Sequence, residues 1–220
     1  MRRKDKTATQ GVPTPRSRVG WYTFWFALAA VVLAVATFLV YDRPLPGWER
    51  ELFVAVNNWP DSWQAAFLVI TALGSKWAAA ATVALTFVLK LYWLTWRLAV
   101  ALGAGFALTF VLKVGVDRAR PEWLVDGAHV RVSETMAGFT SGHTMLITIL
   151  MLSLLPYLPK GWRWLLVLPP IALVGISRLY LGVHVPLDVI GGAAVGVMAV
   201  CLVRILPRPI RRSLRLTQET

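Results

Sequence analysis

The sequence predicts an all-α, polytopic membrane helix bundle with six transmembrane helices and both termini in the cytoplasm. Of its 220 residues, 57% are hydrophobic and only 15% are charged, and the mean hydropathy is +0.60. A soluble domain of this length could not bury so much apolar surface. Apolar stretches long enough to cross a hydrocarbon layer of about 30 Å recur along the chain. An integral membrane protein is therefore the predicted class.

The predicted spans fill the chain between two basic tails, residues 1–20 and 207–220, so that residues 21–206 form one membrane domain. The six spans are residues 21–40, 77–91, 94–114, 143–158, 162–179 and 187–206. A further apolar stretch, residues 63–73, is too short to cross and is expected to lie in the interface or to enter the membrane partway. The first tail is rich in Thr, Ser and Pro as well as basic residues, which predicts disorder.

The charge distribution predicts the orientation of the bundle. With six spans, one side of the membrane receives both tails and the loops near Lys90 and Lys160. That side holds 15 of the 23 Lys and Arg residues but only two of the 11 Asp and Glu residues. This positive-inside bias places both termini in the cytoplasm. The net charge of +12 therefore indicates topology and an affinity of the tails for anionic lipid headgroups, and not a nucleic-acid partner.

Three smaller features concern packing. The segment 42–60 carries prolines, tryptophans and mixed charges, which fits either an amphipathic stretch on the outer face or a structured outer loop. Gly192 and Gly196, four residues apart, predict a close helix contact in the last span. Cys201 is the only cysteine, so an intramolecular disulfide is excluded, and it is expected to pack inside that span.

Polar residues of types that serve in catalysis or ligand binding fall into three clusters. In the first, Lys113 and Arg120 are seven residues apart, which places both cations on one helix face if the helix continues that far. Pro121 is then expected to end the helix. Taken alone, the two cations could equally be interfacial residues that extend toward the headgroups.

The second and third clusters each surround a histidine at the start of a predicted span. Ser141 and Gly142 precede His143, and backbone N–H groups at such a helix start bind anions, although an ordinary N-cap has the same sequence. His184 and Asp188 are four residues apart. The carboxylate can therefore hold one imidazole nitrogen and leave the lone pair of the other free for attack.

The six-span topology brings the three clusters to one side of the membrane. Two histidines, the cations Lys113, Arg120 and Arg178, a Ser-Gly turn and one carboxylate are expensive to keep near hydrocarbon, so a functional site is expected. Phosphoryl transfer requires this combination, because cations neutralise the phosphate oxygens while a nucleophile attacks and an acid protonates the leaving oxygen.

The clusters resemble the signature of the type-2 phosphatidic acid phosphatase family, which shares its site with vanadium haloperoxidases. That signature is Lys-x6-Arg-Pro, Pro-Ser-Gly-His and Ser-Arg-x5-His-x3-Asp. The chain has Lys113 with Arg120-Pro121, then Ser141-Gly142-His143, then Ser177-Arg178 with His184 and Asp188, in the same order and with the same spacings. The resemblance covers about residues 65–205, and Thr140 stands at the position of the proline in the second motif.

The resemblance implies a role for each matched residue. His184 would be the nucleophile that forms a phosphohistidine, Asp188 would orient it, and His143 would protonate the leaving oxygen and later activate water. The substrate phosphate would be held by Lys113, Arg120, Ser141, Gly142 and Arg178. No cofactor is expected. A metal site at His143, His184 and Asp188 is disfavoured, because the three neighbouring cations would repel a dication.

The expected activity is the hydrolysis of a terminal phosphate from a lipid phosphate or diphosphate by a site that faces the extracytoplasmic side of the plasma or inner membrane. At that location a polyprenyl diphosphate such as undecaprenyl diphosphate fits best. Phosphatidylglycerophosphate, phosphatidic acid, a lipid phosphotransferase and a non-enzymatic lipid-phosphate binder or transporter stay open, as does the oligomeric state. The remaining charges between residues 117 and 134, and His129, are predicted to be loop residues.

Overall fold

The computed structural model describes residues 15–206, and within that range all regular structure is helical. The helices are α1 (Pro15–Val40), α2 (Gly47–Asn57), α3 (Gln64–Ala72), α4 (Lys76–Val88), α5 (Tyr92–Val116), α6 (Pro121–Leu124), α7 (Gly142–Leu154), α8 (Arg163–Tyr180) and α9 (Pro186–Ile205), with short 3-10 turns at Asp61–Trp63 and Leu155–Tyr157. Most of the predicted amino-terminal tail (residues 1–14) and the whole carboxyl-terminal tail lie outside the described residues. Helix α1 begins at Pro15, six residues before the predicted boundary at residue 21.

Each of the six predicted spans corresponds to a helix, but not every helix is long enough to cross a membrane unaided. Within the described range, four helical segments have the required length and apolar composition: Val19–Val40, Tyr92–Leu124, Arg163–Tyr180 and Pro186–Ile205. A fifth arises if Asp61–Ala72 and Lys76–Val88, which meet at a bend of 40°, form one broken span. The segment Gly142–Tyr157 is apolar but shorter. Six spans and the side of the termini therefore stay predictions.

Large apolar side chains cover the outer surface of the bundle. Trp77 is 74% exposed, Val88 72% and Val114 65%, and the exposed faces of α1 and α8 are also apolar. An apolar surface of this extent is unstable in water but is well solvated by lipid chains. The surface chemistry agrees with a membrane bundle.

Helix α9 forms the centre of the bundle and packs against α1, α5 and α7. Its glycines permit this close packing, as the sequence predicted. A Cβ atom on Gly192 would lie 2.3 Å from the carbonyl oxygen of Ser141, and one on Gly196 would lie 2.6 Å from Cβ of Thr148. Cys201 is buried in the same helix, also as predicted.

Helix α5 does not continue as far as Arg120, which was the condition for Lys113 and Arg120 to share one helix face. The helix ends at Val116, and Asp117 takes a left-handed conformation with φ of 43°. Arg120 is therefore not on the same helix face as Lys113, and it reaches the site from the turn that follows α5. Pro121 does not end a helix but begins the four-residue helix α6, where a residue without an N–H group is tolerated.

The segment between α1 and α4 is structured and packs on the bundle, and residues 47–57 of it form helix α2. Helix α2 buries Glu49, Phe53 and Val56 against α8 and α9, and α3 packs along α8. The turn after α3 lies beside the start of α7, where a Cβ on Gly74 would lie 2.6 Å from the His143 carbonyl oxygen. The short apolar stretch thus lines the end of the bundle that carries the polar clusters.

Candidate active site

The three polar clusters meet at one end of the bundle. The amino ends of α7 and α9 adjoin there, because the N–H of Ser141 donates to the carbonyl oxygen of Asp188 over 2.9 Å. The carboxyl ends of α5 and α8 lie there too, since Lys113 and Arg178 both contact the loop that precedes α7. The amino ends of α7 and α9 carry the positive ends of the helix dipoles, and the unpaired N–H groups at such ends favour an anion. His143 and His184 are therefore on the same side of the bundle.

His184 is held by Asp188 in a defined tautomer. Its Nδ1 lies 3.3 Å from Oδ2 of Asp188, which also accepts the N–H of Val185 over 3.1 Å. Because an ionised carboxylate only accepts hydrogen bonds, Nδ1 carries the proton and Nε2 keeps its lone pair. The four-residue spacing in the sequence thus produces the predicted contact.

The protein keeps His184 neutral. Burial lowers its pKa to about 4, although the hydrogen bond from Nδ1 and the negative charge of Asp188 act in the opposite direction. The side chain is only 1% exposed, so water does not stabilise an imidazolium there. A neutral imidazole with a free Nε2 lone pair is the form that can attack an electrophile.

Lys113 and Arg120 are anchored by backbone carbonyl groups of the loops before α7 and α9. The ammonium group of Lys113 donates to the carbonyl of Ala137. Arg120 donates from Nε to the carbonyl of Met136 over 2.6 Å and from one terminal nitrogen to the carbonyl of Val183 over 2.7 Å. Both cations are largely buried, so their charges act with little screening by water.

Arg178 supplies the third cation from the last turn of α8. It donates to the hydroxyl of Thr71 over 2.9 Å, and its other terminal nitrogen pairs with Glu134. Its buried Nε has no hydrogen-bond partner among the described residues. Arg178 is thus held through both terminal nitrogens and keeps an unused N–H donor at Nε, which suits the binding of an oxyanion.

Glu134 joins the cations and is not the loop charge that the sequence suggested. Its carboxylate pairs with Arg178 and lies 3.0 Å from Arg120. Burial opposes ionisation, but the positive charges of Arg178 and Arg120 outweigh it and lower the pKa of Glu134 to about 2. One carboxylate therefore partly neutralises two of the three cations.

The turn before α7 differs in detail from the prediction. Ser141 is the N-cap of the helix: its hydroxyl oxygen accepts the N–H of Thr144 over 3.4 Å and the hydroxyl of the same residue over 3.1 Å. The N–H of Ser141 already donates to the carbonyl oxygen of Asp188, so the first N–H group available to an anion is that of Gly142. His143 is half-buried, and its electrostatic surroundings consist of Arg178, Glu134, His184 and Arg120.

A buried ion pair, which was not predicted from the sequence, lies behind Asp188. Arg118, predicted to be a loop charge, is only 7% exposed and donates to Oδ1 of Asp188 over 2.8 Å. The same guanidinium forms two hydrogen bonds to Glu49, of 3.1 and 2.7 Å, in the distant helix α2. No motif in the sequence relates these residues, because the pairing depends only on how α2 packs.

The other polar residues of the loop lie apart from this cluster. Asp117, Glu122, Asp126 and the side chain of His129 are exposed, as predicted. Arg131 instead binds the loop to the bundle through Asp61 and the carbonyl of Tyr180. Among residues 15–206, no group of three or more His, Cys, Asp or Glu side chains has the arrangement of a metal site.

Comparisons with known proteins identify the family of the chain. Residues 94–212 match the PAP2 superfamily, and this match covers more than half of the chain. The chain is 34% identical to phosphatidylglycerophosphatase B of Bacillus subtilis (strain 168) over 119 residues, which are 50% of this chain and 56% of that protein. It is 28% identical to undecaprenyl-diphosphatase of Sulfolobus acidocaldarius over 182 residues, 80% of this chain and 86% of that one.

A solved structure shares the fold. The crystal structure of a transmembrane PAP2-type phosphatidylglycerolphosphate phosphatase from Bacillus subtilis superposes with a TM-score of 0.64, covering 84% of this chain and 94% of that chain at 24% identity. The two related sequences and this structure are named as phosphatases, that is, phosphoric ester hydrolases. Together with the three motifs, these matches show that the chain belongs to the PAP2 superfamily, the type-2 phosphatidic acid phosphatases.

Proposed function

We propose that the protein hydrolyses the terminal phosphate of a lipid phosphate or diphosphate in the outer leaflet of the membrane, through a phosphohistidine at His184. The observation that carries this proposal is the buried His184–Asp188 pair, with Nε2 free, beside three cations. A binding protein would need the cations but has no use for a neutral imidazole oriented by a carboxylate.

The first step is an in-line displacement. Nε2 of His184 donates its lone pair to phosphorus while the bond from phosphorus to the lipid oxygen, or to the bridging oxygen of a diphosphate, breaks. His143 gives a proton to that leaving oxygen. Asp188 compensates the positive charge that develops on the imidazole ring, as its contact with Nδ1 allows.

The second step returns the enzyme to its starting state. His143, now neutral, takes a proton from water as the water oxygen attacks the phosphohistidine, and the bond from phosphorus to Nε2 breaks. Inorganic phosphate leaves, and His184 regains its lone pair. Lys113, Arg120, Arg178 and the N–H groups from Gly142 onward neutralise the phosphate oxygens in both steps.

Substrate phosphate must compete with Glu134 for two of these cations. Arg120 and Arg178 both contact that carboxylate, and a phosphoryl group offers them the same kind of oxygen acceptor with more charge. Binding therefore exchanges one set of charge-assisted hydrogen bonds for another. This exchange limits the affinity for inorganic phosphate, the product, and favours its release.

Polyprenyl diphosphate, such as undecaprenyl diphosphate, is the substrate that we favour, and phosphatidylglycerophosphate is the second candidate. The match to the Sulfolobus undecaprenyl-diphosphatase extends over most of both chains, which supports the first. The second draws on the higher identity to the Bacillus phosphatidylglycerophosphatase over a shorter region. Both lipids carry a terminal phosphate that could reach a site at headgroup depth.

The experiment is phosphate release by detergent-purified protein from undecaprenyl diphosphate, phosphatidylglycerophosphate and phosphatidic acid, beside trapping of the phosphoenzyme under alkaline conditions and location of the modified histidine. We expect label on His184 and the highest kcat/KM with the prenyl diphosphate. Transfer of labelled phosphate to a lipid hydroxyl would identify a phosphotransferase. Binding of every lipid without phosphate release would favour a transporter.

Because burial keeps His184 neutral, we expect activity to persist in mild acid. With its pKa lowered to about 4, Nε2 keeps its lone pair at pH 5, whereas an ordinary histidine with a pKa of about 6.5 would be mostly protonated. The rate of phosphoenzyme formation should not fall between pH 7 and 5, where Nε2 of His184 keeps its lone pair, and should decline only near pH 4. An acid limb centred near pH 6.5 in single-turnover measurements would contradict a neutral buried nucleophile.

Metal removal should leave turnover unchanged, because protein cations supply the positive charge that a metal ion would otherwise provide. We expect equal kcat before and after dialysis against excess EDTA. Inclusion of Mg²⁺ or Zn²⁺ afterwards serves as the control, and activity that is lost on chelation and restored by either ion would reject a metal-independent mechanism.

A further inference from the structure

Behind the His184–Asp188 pair lies a second pair of buried charges that the proposed reaction does not use. Glu49 is 0% exposed and Arg118 is 7% exposed. Arg118 lies between two carboxylates, with Glu49 on one side at 2.7 Å and Asp188 on the other at 2.8 Å. A continuous chain of contacts therefore runs from α2 through the turn after α5 to the imidazole ring of His184.

These charges are costly to bury. Removing an ion pair from water carries a desolvation penalty that its mutual attraction often fails to recover, so apolar residues of similar volume would stabilise the fold at least as well. The pair is also more specific than stability requires, because two hydrogen bonds join the guanidinium to Glu49 while a third reaches Oδ1 of Asp188. This geometry fixes the plane of the guanidinium and, through it, the plane of the Asp188 carboxylate.

Oε1 of Glu49 also connects this chain of contacts to the start of α9, which follows the loop that carries His184. The N–H of Leu187, in the first turn of α9, donates to Oε1 of Glu49 over 2.8 Å. Asp188 itself accepts the N–H of Val185 through Oδ2. Each carboxylate thus satisfies an otherwise unpaired N–H group at the start of α9, one and three residues after the nucleophile.

We propose that Glu49 and Arg118 are positioning residues, which hold the Asp188 carboxylate so that Oδ2 keeps the proton on Nδ1 of His184 and Nε2 points at the phosphorus. The role rests on the proposed function of His184 as nucleophile. It also extends the active site beyond residues 94–212, the part that matches the family, because Glu49 lies in α2. Helix α2 is on this basis a functional part of the enzyme.

Replacement of Arg118 by methionine tests the role. We expect kcat to fall about 10- to 100-fold with little change in KM, because the phosphate-binding cations are untouched while the nucleophile loses its orientation. Arg118→Lys, which keeps the charge but cannot contact both carboxylates with a planar fork, should recover only part of the loss. The paired change Glu49→Gln with Arg118→Met removes both charges together but keeps an amide oxygen that accepts the N–H of Leu187, so the protein should fold while it stays slow.

A double-mutant cycle separates positioning from general support of the fold. If Arg118 acts through Asp188, then adding Arg118→Met to Asp188→Asn should lower kcat less than about 2-fold further, because the group that it orients is already lost. Losses that multiply would overturn the proposal. So would failure of both the single and the paired variants to give a folded protein, since the charges would then be structural.

Arg131 is the matched control for this cycle. It is also an arginine of the same loop region and bonds to Asp61 and to the Tyr180 carbonyl, but has no contact with Asp188 among its hydrogen bonds. The loss caused by Arg131→Met should therefore be the same with and without Asp188→Asn. His184→Ala in the same assay distinguishes failure of the proposed nucleophile from failure of the proposed positioning role. Turnover by that variant would reject the nucleophile itself, whereas an inactive His184→Ala with multiplying Arg118 losses would reject only the positioning role.

Discussion

Replacing His184 with alanine is expected to lower turnover at least about 10⁴-fold while the protein still folds and inserts. The variant loses the atom that bonds to phosphorus, and neither the cations nor His143 can replace it. The ring belongs to a segment held by other contacts, including the hydrogen bonds from the N–H groups of Val183 and His184 to the carbonyl of Arg178. Steady-state phosphate release measures the loss of turnover, and phosphoenzyme trapping measures the loss of the phosphohistidine.

His129→Ala is the control for histidine replacement. Its side chain is exposed, and its contacts with Asn57 use only backbone atoms, so removal of the imidazole leaves them in place. We expect wild-type turnover for this variant. Phosphate release by purified His184→Ala at a rate near that of the wild type would refute the phosphohistidine mechanism.

Gly192→Ala should have the second largest effect, because it separates the two helix starts that form the site. The added Cβ would lie 2.3 Å from the carbonyl oxygen of Ser141, and a backbone atom cannot rotate away as a side chain can. The turn before α7 must therefore move, and with it His143 relative to His184. A displacement of about 1 Å can cost about 100-fold in rate, and overpacking of this kind destabilises by about 1–3 kcal/mol. Turnover and the thermal unfolding midpoint in detergent report both effects.

Gly103→Ala provides the comparison for this substitution. Gly103 is exposed on α5, and no atom lies within 4 Å of the position of its added Cβ. Alanine is the better helix former by up to about 1 kcal/mol, so stability should be equal or higher and turnover unchanged. If Gly192→Ala behaved like Gly103→Ala, then close contact between α9 and the turn before α7 would not be what assembles the site.

The local chemistry of the site was predictable from spacing because it depends on neighbours within one helical turn. His184 and Asp188 are four residues apart, and the hydrogen bond that this spacing predicts is present. The Ser-Gly turn before His143 likewise begins a helix, as an N-cap sequence should. Arg120 was less predictable, since the left-handed Asp117 ends α5 and changes the direction from which the guanidinium approaches.

The helical membrane class, the approximate helix positions, the family and the groups that resemble its signature all follow from the amino-acid sequence, because apolar run length and short spacings act locally along the chain. Which distant charges surround that signature depends on how the helices pack. Arg118 contacts Glu49, which is 69 residues away in the chain, and Arg178 contacts Glu134, which is 44 residues away. A loop charge and a buried charge look alike in the sequence, since burial depends on what the folded chain places around them.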